Sequence, residues 1–151
     1  MEAEDQALRE ASPVDVPAVM ASDALHTVRV KAILAEQGWP PVSKVGKDGS
    51  SAFWLLVQHA DADPEFQRKA LGLMQAQIAS GEASSRQFSY LWDRTHTPQK
   101  FGTQGKCFAK NDWRPHPIEA PERVDAERAA VRLPPLAEYI AEVSELCTDA
   151  P

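Results

Sequence analysis

Only two cysteines occur in the 151 residues, Cys107 and Cys147, 40 positions apart and outside any Cys-x-x-Cys or Cys/His cluster. A cysteine-built metal site is therefore excluded, and the pair reads as free thiols of a reducing compartment rather than a disulfide framework. Long apolar runs are missing too: nothing approaches the roughly 18 residues of a membrane span, so no membrane association is expected. Cations are few, 16 Lys and Arg against 22 Asp and Glu for a formal charge of −6. A phosphate backbone needs a basic surface, which argues against nucleic acid as partner. The opening residues Met1-Glu2-Ala3-Glu4-Asp5 have neither the basic nor the apolar region of a secretion signal, and the expected location is cytoplasmic.

Catalytic signatures are equally sparse. There is no Gly-x-Ser-x-Gly elbow. The four histidines, His26, His59, His96 and His116, contain no His-x-x-x-His pair, so no metal is expected, and no cofactor. Gly105-Lys106 falls short of a phosphate loop because Lys100 stands where the first glycine belongs and Cys107 where the hydroxyl belongs. There is no internal repeat and no low-complexity tract.

What remains is an ordinary globular composition, 43% hydrophobic and 25% charged, enough for one domain with its own core. Residues 1–20, with Pro13 and Pro17, read as a flexible arm with at most one helical turn near 3–10; residues 21–148 read as a single helical domain. Ser22 caps a helix that stops at Gly38, and 41–51, with Gly46 and Gly49, reads as a loop. Ser50 or Ser51 then caps a buried helix carrying the apolar run Ala52 to Val57. Asp63-Pro64 starts the next helix and Gly81 ends it. Ser84 with Gln87 forms a capping box for a helix with Phe88, Leu91 and Trp92 inward. Pro121 begins a short helix. Pro134-Pro135 begins the last, with Leu136, Tyr139, Ile140, Val143 and Leu146 at helical spacing. The fold class is mainly α, five to six helices, with a short β-hairpin or irregular excursion near 97–118.

Three polar elements stand out. Gln58-His59-Ala60-Asp61 closes the buried helix, and polar groups there must be paired or face a cavity. His59 suits a general base or acid with Asp61 or Asp93 orienting it, although a histidine also satisfies the carbonyls at a helix C-terminus. Tyr90-Leu91-Trp92-Asp93-Arg94 offers a phenol, a carboxylate and a guanidinium within one helical turn, or simply an Asp–Arg tie to a loop. Gln99-Lys100-Phe101-Gly102-Thr103-Gln104-Gly105 offers close backbone approach with amide and hydroxyl donors, or a tight polar turn.

In order, Gly38-Trp39-Pro40, Ser43-Lys44-Val45-Gly46, Trp54 with Gln58-His59-Ala60-Asp61, Tyr90 to Arg94, Gln99 with Phe101 to Gln104, Pro117-Ile118 and Leu136 with Tyr139 resemble an uncharacterised bacterial domain of unknown function, over roughly 20–142. Where that pattern has an aliphatic residue and a tyrosine, this chain has Thr95 and Phe101. The resemblance implies a soluble bacterial domain in which the three elements meet at a polar pocket; it implies no activity and no role for His96, Cys107 or His116. The resulting expectation is a small metal-independent enzyme acting on a small polar or anionic metabolite by hydrolysis, elimination or cyclisation. Its catalytic residues would be His59, Asp61 and Asp93, and its substrate contacts Gln58, Tyr90, Arg94, Thr103 and Gln104. The alternative is a non-catalytic binding or partner-regulating protein, of accessory or immunity type, whose polar cluster is structural. No oligomeric state follows.

Overall fold

The computed structural model describes residues 1–148. Its contacts divide the chain into two compact units, Met1–Ser84 and Ser85–Pro151. The architecture is mainly α with one hairpin, as expected, but with seven α-helices among the described residues.

The first unit holds α1 (Glu2–Glu10), α2 (Val16–Gln37), α3 (Val42–Gln58) and α4 (Pro64–Ile78). Val30 and Leu34 of α2, Phe53, Leu56 and Val57 of α3, and Phe66, Ala70, Leu71 and Met74 of α4 are buried, with Trp39 edge-on to Phe53. Burial of such side chains contributes about 1.5–3 kcal/mol each and fixes where the helix ends lie. Asp63 caps α4, accepting from the Phe66 amide at 3.0 Å, as its Asp-Pro start signals.

Three expectations for this unit are corrected. Residues 2–10, read as part of an arm, form α1 and bury Asp5. The next helix starts at Val16 rather than after Ser22, because the Asp15 side chain caps the Ala18 amide and Pro17 sits in the first turn, where an N–H is dispensable. The span 41–51 is not a loop: α3 begins at Val42 and is broken only at Gly46, whose φ of 76° glycine alone adopts at little cost.

The second unit holds α5 (Ser85–Thr95), β1 (Gly105–Ala109), β2 (Asp112–Pro115), a single 3-10 turn (Pro121–Arg123), α6 (Val124–Ala130) and α7 (Leu136–Ser144). β1 and β2 pair antiparallel, Cys107 opposite Trp113, within the 97–118 excursion. Gln99 forms an isolated parallel bridge with Ile118. The free-thiol reading is overturned here. Cys107 on β1 and Cys147 beyond α7 form a disulfide, with their Cα atoms 5.6 Å apart. The Asn111 amide donates to the Cys147 carbonyl and the Trp113 amide to Ser144 Oγ, so the hairpin and the end of α7 are brought side by side. With that bond the redox ground for a cytoplasmic location is gone. Among the described residues no helix is long and apolar enough to cross a membrane.

Candidate functional site

In the first unit the polar end of α3 meets the N-terminal helix. His59 is the C-cap of α3, its amide bonded back to Leu55 and Val57 carbonyls, which sets the ring beyond the last turn. Its Nδ1 lies 2.9 Å from Asp5 Oδ2. Asp5 is 2% exposed. Gln6 Nε2 donates to the same oxygen at 2.8 Å, and Arg9 Nε to Oδ1 at 3.3 Å. Arg9 Nη2 also donates to Asp23 Oδ1 on α2. Asp5 and Arg9 are one helical turn apart, so one face of α1 presents the acid and the base that pins it.

The electrostatics assign the protons. Burial pushes the Asp5 carboxyl up, but the bond from Gln6 and the nearby His59 and Arg9 more than offset this, leaving it below the ordinary carboxylate value. Burial pushes the His59 ring down, only partly opposed by the Asp5 charge, so it titrates below the usual 6.5 and is neutral at pH 7. An ionised carboxylate can only accept, so in the neutral ring Nδ1 carries the hydrogen and Nε2 keeps its lone pair. Nε2 has no hydrogen-bond partner among the described residues. Asp5 occupies the orienting position expected of Asp61 or Asp93.

Asp5, Asp23 and His59 offer ligand atoms within 4.8 Å of one another, a spacing a metal ion could use. The Arg9 guanidinium already fills the cationic position between the two carboxylates. An ion would have to displace it and take the Nδ1 proton as well, so the set suits an internal ion pair better than a metal.

Around this dyad, Gln58 is buried and its Oε1 finds no donor among the described residues. Gln67 of α4 holds the end of α3: its Nε2 lies 3.1 Å from Val57 O, 3.0 Å from Gln58 O and 3.3 Å from Asp61 Oδ1. A groove of about 590 Å³ between α2 and the start of α4 is lined by Lys31, Ala32, Ala35, Asp63, Phe66 and Lys69 among others, and not by His59.

The second unit builds a different cluster. Asp93, near the end of α5 and buried, accepts from the amides of Lys100 (2.8 Å), Phe101 (3.0 Å) and Thr103 (2.8 Å) and from Thr103 Oγ1 (2.9 Å). A carboxylate has about four lone-pair positions, and four donors fill them. Buried Gln99 bridges the same loop, donating to Gln104 O and His116 O and accepting from the Gln104 amide. From α6, wholly buried Arg128 donates to Phe101 O and Pro134 O, with its guanidinium 4.8 Å from the Tyr139 ring centre. Burial lowers the Arg128 pKa and raises that of Tyr139. The Tyr139 hydroxyl donates to Thr103 O. Gly102 adopts φ +67° with Leu136 and Ile118 atoms 2.9 and 3.0 Å from where a Cβ would stand, so the loop tolerates no side chain there.

The structure thus brings Asp93, Thr103 and Gln104 together, with Arg94 Nη1 3.4 Å from Gln104 Oε1. Tyr90 packs edge-on to Tyr139. It also brings His59 to Asp5, Arg9 and Asp23, none of which the motifs flagged. Their only sequence signal is the i, i+4 pair Asp5–Arg9, which is commonplace. Gln99 lies in the third polar element, whereas Gln67 and Arg128 carry no sequence signal beyond polar character.

A family model for the family of unknown function DUF6624 matches residues 3–148, and the chain belongs to that family. No curated protein matches the chain, and no solved structure does.

Proposed function

We propose that this member of the family is a small enzyme that performs acid–base chemistry at His59 on a small polar metabolite, by hydrolysis, elimination or cyclisation. The observation that carries the reading is the 2.9 Å bond from His59 Nδ1 to buried Asp5. That bond fixes the tautomer and turns Nε2 into a base with a free lone pair. His59 takes a proton at Nε2, and Asp5 stabilises the imidazolium that forms without itself accepting the proton. Arg9, itself tied to Asp23, favours the ionised form of Asp5 and holds it in place.

The test is a thermal-shift screen of metabolites on the wild type and His59→Gln, with turnover of each stabilising compound followed by NMR. A compound consumed by the wild type and about 10²–10⁴-fold more slowly by the variant supports the reading. Equal consumption by both overturns it. A second reading, a non-catalytic binding or partner-regulating protein, is favoured by the filled valences of Asp93. Stabilising compounds that neither protein consumes would support it.

A further inference from the structure

The helix α2 is apolar on two sides. Its inward side buries His26, Val30 and Leu34. Its opposite side presents Pro17, Met20, Ala21, Ala24, Leu25 and Val28, two adjacent i, i+4 rows with no charged residue between them. A helix apolar all round is normally enclosed. Here Met20 is 66%, Leu25 73% and Val28 70% exposed, and Val14 and Val16 extend the patch at its N-terminal end. Scattered exposed apolar residues need no explanation, but a continuous stripe along three turns of one helix does.

We propose that this face packs on a second copy of the chain, α2 against α2, antiparallel about a two-fold axis at Ala24. Small residues at the crossing, Ala21 and Ala24, let the two backbones approach, and Met20 of one copy then meets Val28 of the other, each four residues from the axis. Three turns of one helix make a patch small beside the roughly 1,200–2,000 Å² that stable specific interfaces bury, which describes a weak dimer. The flanking charges favour the antiparallel sense. Asp15 stands at one end of the stripe and Arg29 at the other, so opposite signs approach each other, whereas a parallel pair sets like against like. A membrane surface is a poorer occupant, because the stripe lacks the row of cations that interfacial helices carry.

Sedimentation equilibrium from about 5 to 500 μM protein tests this across the range where a weak dimer populates. The wild type should approach twice the monomer mass, and Leu25→Glu with Val28→Glu should remain monomeric with an unchanged circular dichroism spectrum. Independently, Ala24→Cys in the wild-type background should form a covalent dimer on oxidation with diamide, whereas a Lys47→Cys control should not. A monomer at the highest concentration with no Ala24→Cys cross-link overturns the proposal. So does a dimer that survives both glutamates, and so does a monomer that co-sediments with phosphatidylcholine vesicles, which would hand the face to a membrane.

Discussion

Asp5 and Asp93 are both buried carboxylates, 2% and 4% exposed, and their surroundings differ in kind. Asp93 is held by three peptide N–H groups and a hydroxyl, dipoles that neither titrate nor leave without unravelling a loop. Asp5 is held by an imidazole, a guanidinium and an amide, each on a side chain that can rotate or, for His59, exchange a proton. The first arrangement spends a buried charge on shape. The second keeps a proton position at the edge of the core, and for that reason the proposed chemistry centres on His59 rather than on the more densely bonded cluster.

Four measurements would break or sharpen this contrast. The largest effect should come from the second unit's covalent tie: Cys107→Ser with Cys147→Ser opens a loop of 40-residue separation, a loss of about 4 kcal/mol on chain-entropy grounds, read by urea unfolding. Next, Asp93→Asn puts an NH₂ against peptide donors and should cost about 3 kcal/mol, whereas Asp5→Asn, facing flexible partners, should cost about 1–2 kcal/mol. Equal losses would erase the distinction. Thr103→Val removes one hydroxyl donor to Asp93 and one acceptor for Gln104, a loss of about 1 kcal/mol read by the same urea unfolding.

The smallest effect is a slope. Because the folded His59 pKa lies below its ordinary 6.5, the unfolded chain binds more protons as pH falls from about 6.5 toward the folded value, and stability declines across that window. Asp5, also depressed, contributes stability above about 3.8 that is lost as pH falls through its folded pKa. His59→Gln should abolish the upper slope. Asp5→Asn should push the His59 titration lower still, since burial and the Arg9 charge are then opposed by Asp23 alone; an NMR titration in which that pKa rises instead would show that Asp5 does not govern the ring.

Much of the fold was legible because it is local. Asp63-Pro64 starts α4 and the spacing of Leu136, Tyr139 and Ile140 marks α7 within a few residues of where they lie. The glycines and prolines misled where tertiary packing outweighs propensity: Gly46 and Gly49 sit inside α3, and Pro13 and Pro17 flank the true start of α2. His59 at a helix end was readable, as was the kinship of Asp93 with the Gly-Thr-Gln loop. The partner of His59 was not. Asp5 lies 54 residues away on a short acidic helix, and no spacing rule links residues joined only by packing. The cysteine pairing was hidden for the same reason.

The Cys107–Cys147 bond also turns everything between those residues, including the tip of the hairpin, α6 and α7, into a closed loop of covalent chain. A protease that cuts there, at exposed Lys110 or Arg123 for instance, severs one strand of that loop and detaches nothing. The nicked molecule stays one species, heavier by a single water, until a thiol reductant separates its halves. Backbone damage in this part of the protein is therefore silent on a non-reducing gel and visible only after reduction.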